Sequence, residues 1–271
     1  MKTNKSFIVI STGMLIFSML ACNLGKTIPS TDSAPIEGGE FPSTPLPAVE
    51  ATVITSADTG NIGACSNPYM PVIAGAMWTY KLTGPVPDTY THSITTVEAD
   101  GFTEQDVFGT GVTRQGKWTC DNGNLIALNP SGGSSASVET EGMTSEFQTT
   151  SLEGVTLPAS INPGDSWTQS ITIEGTQTLN DTTIPSKNQT TSTCTASGVE
   201  SVTVEAGTFD AMRVDCQNTM IITITMNNSP IETSLTFNAT NWYAKDVGLV
   251  KTVSTGENLD STIELVSYSI P

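Results

Sequence analysis

The residue types that could carry out chemistry are few in this chain. His92 is its only histidine. An imidazole titrates near neutral pH and is the usual general base. His92 lies between Thr91 and Ser93 in an alternating run of Thr and Ser, which predicts a solvated position on a strand. No nucleophile elbow G-x-S-x-G, no phosphate loop G-x-x-x-x-G-K-[ST] and no zinc-protease H-E-x-x-H is present. Gly109-Thr110-Gly111 lies between strand-like runs with no helix after it, so it is not a phosphate cradle. Asp121-Asn122-Gly123-Asn124 lacks the spacing and the distant Glu of a calcium loop and reads as a tight turn. The 27 acids offer many carboxylate pairs that only a fold can bring together. With no C-x-x-C pair and a single histidine, a zinc site is not expected. No catalytic residue, cofactor or metal site is therefore predicted.

The N-terminus carries an address. Lys2 and Lys5 precede an apolar run from Phe7 to Ala21. A charged start followed by an apolar stretch too short for a comfortable membrane span is the form of a secretory signal. Met19-Leu20-Ala21-Cys22 resembles the bacterial lipoprotein signal, which implies cleavage before Cys22 and acylation of that cysteine. Residues 1–21 are thus expected to be the signal peptide. Membrane lipid, reached through Cys22, becomes the first expected partner, at the cell membrane or an outer membrane.

With Cys22 given to lipid, Cys65, Cys120, Cys194 and Cys216 remain, an even set in an oxidising compartment. Four cysteines allow three pairings. A hairpin turning at Ala206-Gly207 would set Cys194 nearly opposite Cys216, and Cys65–Cys120 is then left by elimination. Without residues 1–21 the chain has 27 acids against 8 bases, since Lys2 and Lys5 are two of its 10 basic residues. Such an excess repels phosphate backbones and excludes nucleic acid as a partner.

The elements that would position any site are strands. Residues 22–64 are rich in Pro, Ser, Thr and Gly and poor in large apolar side chains, so they read as a flexible, disordered tether with a span of roughly 35 Å. From Cys65 the pattern changes. Trp78, Tyr80 and Leu82 alternate with Thr79 and Lys81, Ile171 and Ile173 with Thr172 and Glu174, and Met220, Ile222, Ile224 and Met226 with Thr223 and Thr225. This two-residue period is that of half-buried strands. Turn signals separate the runs, at Gly84-Pro85, Asp100-Gly101, Asn162-Pro163-Gly164-Asp165, Ala206-Gly207 and Asn227-Asn228. The prediction is an all-β domain over 65–271, an antiparallel meander of about ten to thirteen strands in one strongly curved sheet, half-barrel or barrel. Trp78 and Trp167 each follow a Gly by three residues and precede a Thr. Both are expected in the core.

Three stretches carry a family likeness. Gly75–Tyr80 (G-A-M-W-T-Y), Gly207–Val214 (G-T-F-D-A-M-R-V) and Asn241–Thr252 (N-W-Y-A-K-D-V-G-L-V-K-T), the last followed by Ile263–Tyr268 (I-E-L-V-S-Y), resemble secreted bacterial TapB-like domains of unknown function. The resemblance spans about residues 67–271 and implies a curved-sheet envelope domain, with no catalytic residue to carry over. Together these readings lead to a membrane-anchored envelope lipoprotein that binds or scaffolds another component and is not an enzyme. Its further partner would be an envelope protein or an apolar ligand. A half-barrel carrier of lipid is the alternative, and a hydrolase of envelope polymer the weaker one.

Overall fold

In the computed structural model the residues described are 63–128, 137–140, 143–179, 182–226, 229–257 and 259–271. The expected signal peptide, Cys22, nearly all of the expected tether and the turn expected at Asn227-Asn228 lie outside them. The alternating runs form strands β1 (Met77–Thr83), β2 (Asp88–Val97), β3 (Gly101–Phe108), β4 (Thr113–Asp121) and β5 (Asn124–Ala127). After these come β6 (Ser137–Thr140), β7 (Met143–Gly154), β8 (Ser166–Leu179) and β9 (Thr182–Val204). The chain ends with β10 (Gly207–Met226), β11 (Ser229–Ala244), β12 (Gly248–Gly256) and β13 (Ser261–Ser269).

All thirteen belong to one antiparallel sheet in the order β3-β2-β1-β13-β12-β11-β10-β9-β8-β7-β6-β4-β5. A further pairing of β3 with β4 carries the sheet round on itself, giving a barrel-shaped wall. Closure removes the exposed edges that an open sheet of this size would present. The all-β meander expected from the two-residue period is the fold observed.

The turns follow their residue chemistry. Asn122 and Gly123 both have positive φ (48° and 85°) between β4 and β5, the backbone of a two-residue hairpin. The β9–β10 hairpin expected at Ala206-Gly207 is present, but it turns one residue earlier, at Glu205-Ala206, with Val204 paired to Gly207.

One mouth of the barrel is plugged. Residues 64–76 and 157–161 cross it with Tyr69, Ala76, Leu157 and Ile161 buried. Asn67 fastens this plug, its side-chain N–H groups donating to Gly123 O (2.8 Å) and Pro158 O (3.0 Å) while its Oδ1 accepts from Tyr69 N (2.8 Å). Around it lies the core, including Trp78, Leu125, Met212, Val214, Val250 and Leu265.

The seam beside the core is held by side chains. β12 pairs with β13 only from Lys251↔Glu264 to Ser254↔Ser261. Beyond that β12 has no partner on its β13 side, and Tyr80 Oη donates to Leu249 O (2.9 Å) while Trp78 Nε1 donates to Val247 O (2.7 Å) in the turn just before β12. Two aromatic side chains of β1 thereby satisfy carbonyls that the splayed sheet would leave orphaned.

Strands β8 to β11 are longer than the others, and their outer face is polar. On β9, Gln189, Thr191, Thr193, Thr195 and Ser197 alternate outward and are exposed. A lipid-facing barrel wall would be apolar there. This exterior is built for water.

Candidate ligand-binding lumen

Strand register, not sequence proximity, builds the site. On β3 the inward-facing residues are Phe102, Glu104 and Asp106, all buried, and the ladder places His92 of β2 and Arg114 of β4 on either side of Asp106. Trp78 of β1 stands opposite His92, and Gly116 of β4 opposite Glu104. Glycine has no side chain, so β4 leaves Glu104 uncovered at that register position.

The four charged groups form a chain of contacts inside the wall. His92 Nδ1 is 2.8 Å from Asp106 Oδ1, and Arg114 Nη2 donates to Asp106 Oδ2 at 3.0 Å. His92 Nε2 lies 3.6 Å from Glu104 Oε2, longer than a hydrogen bond. The Arg114 guanidinium sits 4.5 Å over the Phe108 ring. Glu104 is only 2% exposed and its Oε2 has no hydrogen-bond partner among the described residues. The same is true of Arg114 Nε and Trp118 Nε1.

The electrostatics follow from burial and pairing. Burial works against the ionised form of Asp106, but the hydrogen bonds from His92 and Arg114 and their charges hold its carboxyl below the usual value. Burial also opposes the charged imidazole of His92; the Asp106 hydrogen bond and the charges of Glu104 and Asp106 outweigh it and raise the pKa. Glu104 is compensated less completely. Desolvation, helped by the charge of Asp106, pushes its carboxyl up to about 7, and the charges of His92 and Arg114 and the Trp118 indole N–H offset only part of this.

These groups line a cavity of about 460 Å³ that crosses from the β1–β4 wall to the β8–β12 wall. The opposite side supplies Met220, Phe237, Ala239 and Trp167, with Gln169, Asn218 and Asn241 as polar points. Its volume and mixed lining fall within the range of small-molecule sites. Arrangements of this kind can fix one polar end of a ligand against charge while apolar walls hold its body.

His92 is not a solvated strand histidine: its alternation with Thr and Ser is real, but it occupies the inward phase, 15% exposed, tilted against Trp78 with ring centres 5.5 Å apart. Trp78 and Trp118 lie in the core, whereas Trp167 is half-buried and donates to Thr156 O at 3.2 Å. Cys194 is joined to Cys216 across the directly opposed β9–β10 pair, where both line the cavity, and Cys65 is joined to Cys120 beside the plug. The Glu104–Asp106 pair was not singled out by sequence; the alternation Phe102, Glu104, Asp106, Phe108 was its visible trace.

Among solved structures, a candidate lipoprotein of Parabacteroides distasonis ATCC 8503 is similar with a TM-score of 0.50 at 17% identity, covering 75% of this chain and 99% of that one. A candidate exported protein with a YmcC-like fold from Bacteroides fragilis NCTC 9343 gives 0.45 at 14% identity over 75% and 100% of the two chains. The hypothetical lipoprotein YmcC from Escherichia coli K12 gives 0.35 at 11% identity over 78% and 91%. No curated protein sequence matches. The first of these likenesses extends the barrel-shaped fold to a solved structure, and a family model matches residues 94–270, from the end of β2 to the close of β13: the chain belongs to the DUF3108-like family.

Proposed function

We propose that this protein is an extracytoplasmic, lipid-anchored binding protein, without catalytic activity, that takes a small and partly apolar ligand into the lumen of its barrel. The observation that carries this reading is the lumen of about 460 Å³, walled by aromatic and aliphatic side chains and bordered by three buried polar atoms that complete no hydrogen bond among the described residues. Each such atom costs about 1–3 kcal/mol when left unmatched. A ligand that satisfies them recovers that cost on entry.

The interior position of these atoms favours a ligand carrier over a scaffold working through an outer face. The hydrolase reading loses ground for a geometric reason. Asp106 has both carboxylate oxygens engaged, by His92 and Arg114, which leaves Glu104 without a free carboxylate to work with. The location rests on the lipoprotein-like signal before Cys22 and is supported by the lipoprotein description of the Parabacteroides neighbour. Kinship with TapB-like domains, carried by the motifs around Trp78, Phe209 and Trp242, belongs to the same proposal.

The test uses the full chain purified from membranes. Extraction and mass spectrometry are expected to recover bound small molecules, and the stripped protein is expected to bind at least one ten-carbon probe among decanol, decanoate and decylamine, read by tryptophan fluorescence. Ala239→Trp, which fills the lumen, is expected to abolish binding while keeping the wild-type far-UV spectrum. Failure of the stripped protein to bind any of the three, with nothing co-purified, would overturn the reading.

A further inference from the structure

The lumen wall carries an imbalance of charge that specifies the ligand's polar end. Arg114, and His92 when protonated, face it as cations together with one committed carboxylate, Asp106, which is already bonded to both. Glu104 is the fourth member, 2% exposed, with Oε2 unpartnered. Protonated, it leaves the cluster with one surplus positive charge in a buried place. A buried charge without a counter-ion is costly, and the cost is relieved only by an opposite charge or by loss of the charge itself.

Two occupants can supply that missing negative charge: the ionised carboxylate of Glu104, or an anion brought in by the ligand. They exclude one another, since both ionised together would reverse the surplus and set like charges side by side in a poorly solvated space. Two N–H donors remain uncommitted at this wall among the described residues, His92 Nε2, which only approaches Glu104 at 3.6 Å, and Arg114 Nε, while Trp118 Nε1 is aimed at Glu104 without completing a hydrogen bond to it. Donors in excess call for an acceptor. An amine would enter against two existing cations and find both Asp106 oxygens taken. A neutral alcohol would leave the surplus charge uncompensated.

Resting on the lumen reading above, we propose that the ligand is a monocarboxylic acid with an apolar body, bound as its carboxylate at the wall formed by His92, Glu104 and Arg114, and that Glu104 takes up one proton from solvent as the ligand enters. The protonated Glu104 then donates its O–H to the ligand carboxylate, a charge-assisted hydrogen bond of the strong class. The body of the ligand lies towards Met220, Phe237 and Ala239 on the opposite wall.

Titratable groups facing Glu104 come from each strand packed around it. They are His92 and Tyr90 from β2, Arg114 from β4, Asp106 from β3 itself and Tyr80 from β1. Burial raises both tyrosines well above the usual phenol range, so they stay neutral and take no part. Asp106, its carboxyl held below the usual value, stays ionised. Glu104, with its carboxyl at about 7, changes near neutrality, and His92, whose pKa is raised from its ordinary value, is the other group whose charge changes. Both gain protons as pH falls, and both changes favour an anion.

Isothermal titration of the full chain with decanoate, decanol and decylamine at pH 5.5 and 8.5 tests this. Decanoate is expected to bind roughly thirtyfold more tightly at pH 5.5, the factor set by deprotonating a group of pKa about 7 before ligand entry. Decanol is expected to be indifferent to pH, and decylamine to bind most weakly. Repeating the decanoate titration at pH 7.5 in buffers of different ionisation enthalpy is expected to show uptake of close to one proton. In Glu104→Gln that uptake is expected to vanish and the pH ratio to fall to within about threefold, the remainder belonging to His92. The wild-type proton uptake needs no variant, so it stands if Glu104→Gln fails to fold. Decanol or decylamine binding as well as decanoate, or decanoate binding without proton uptake, would overturn the inference while leaving the lumen reading intact. No binding by any of the three overturns the reading beneath it.

Discussion

Asp106 Oδ1 lies 2.8 Å from Nδ1 of His92, directly across the β2–β3 ladder, and this is the contact that fixes the charge of the lumen. It makes the chain's only histidine a reporter of the site. Substituting Asp106→Asn removes the hydrogen-bonded carboxylate that raises the His92 pKa and leaves burial, which lowers it, opposed only by the charge of Glu104. His92 is therefore expected to titrate at lower pH than in the wild type, read from a single imidazole resonance by NMR. The stability loss is expected to be about 3–5 kcal/mol, the usual cost of breaking a buried pair from one side. Its pH window has two edges. The His92 contribution is complete below 6.5 and lost as pH rises through its raised folded value, while that of Asp106 is present above 3.8 and lost as pH falls through its lowered one. An unchanged imidazole titration in Asp106→Asn would show that the two side chains are not coupled.

A second prediction concerns the seam where β12 and β13 part. Tyr80→Phe removes only the hydroxyl that donates to Leu249 O. The expected loss is about 1 kcal/mol by denaturant titration, with faster amide exchange confined to β12. Loss of exchange protection spread evenly over the barrel would contradict a local role.

The outline of the barrel was legible in the sequence because each device is local. Alternation at Trp78, Tyr80 and Leu82 marks β1, and Asn122-Gly123 marks a hairpin whose two residues do take positive φ. The charged site was not legible, for a reason that lies in one irregularity. Carrying the register back from the pair Val97↔Phe102 sets His92 opposite Val107, an exposed residue. A bulge between Ile94 and Thr96 shifts the ladder by one and brings Asp106 there instead. A one-residue slip exchanges the two faces of a strand. Nothing in the run of Thr and Ser around His92 announces that bulge, so the inward phase looked like the outward one.

The two disulfides are expected to differ in what they hold. Cys65–Cys120 joins residues 55 apart and Cys194–Cys216 residues 22 apart. The chain-entropy model gives roughly 4 kcal/mol for the first and about 3 for the second. The difference in location matters more. The second links strands already paired in register, whereas the first ties the start of the plug to β4. Cys65→Ser with Cys120→Ser is expected to open residues 64–76 to limited proteolysis, and Cys194→Ser with Cys216→Ser is expected to leave that segment resistant. Equal protection of the plug in both variants would remove the assigned role.

Glu104 makes the last prediction, because its sign runs against the usual behaviour of acids. A carboxylate held in a salt bridge has its pKa lowered on folding and stabilises the protein as pH rises. Glu104 has its carboxyl raised from 4.5 to about 7 by burial, so between those values the unfolded chain releases the proton that the folded chain retains. Wild-type stability therefore contains a contribution that is complete below 4.5 and is lost as pH rises through 7. Glu104→Gln has no proton to lose. At pH 4 the two proteins are expected to be about equally stable in this respect, and by pH 8 the variant is expected to be the more stable by up to about 3 kcal/mol. Denaturant titrations of both proteins across that range measure the difference directly. A gap that stays constant with pH would mean that Glu104 ionises in the folded protein as freely as in water. The surplus positive charge of the lumen would then be neutralised from within, and a ligand anion would have no role there.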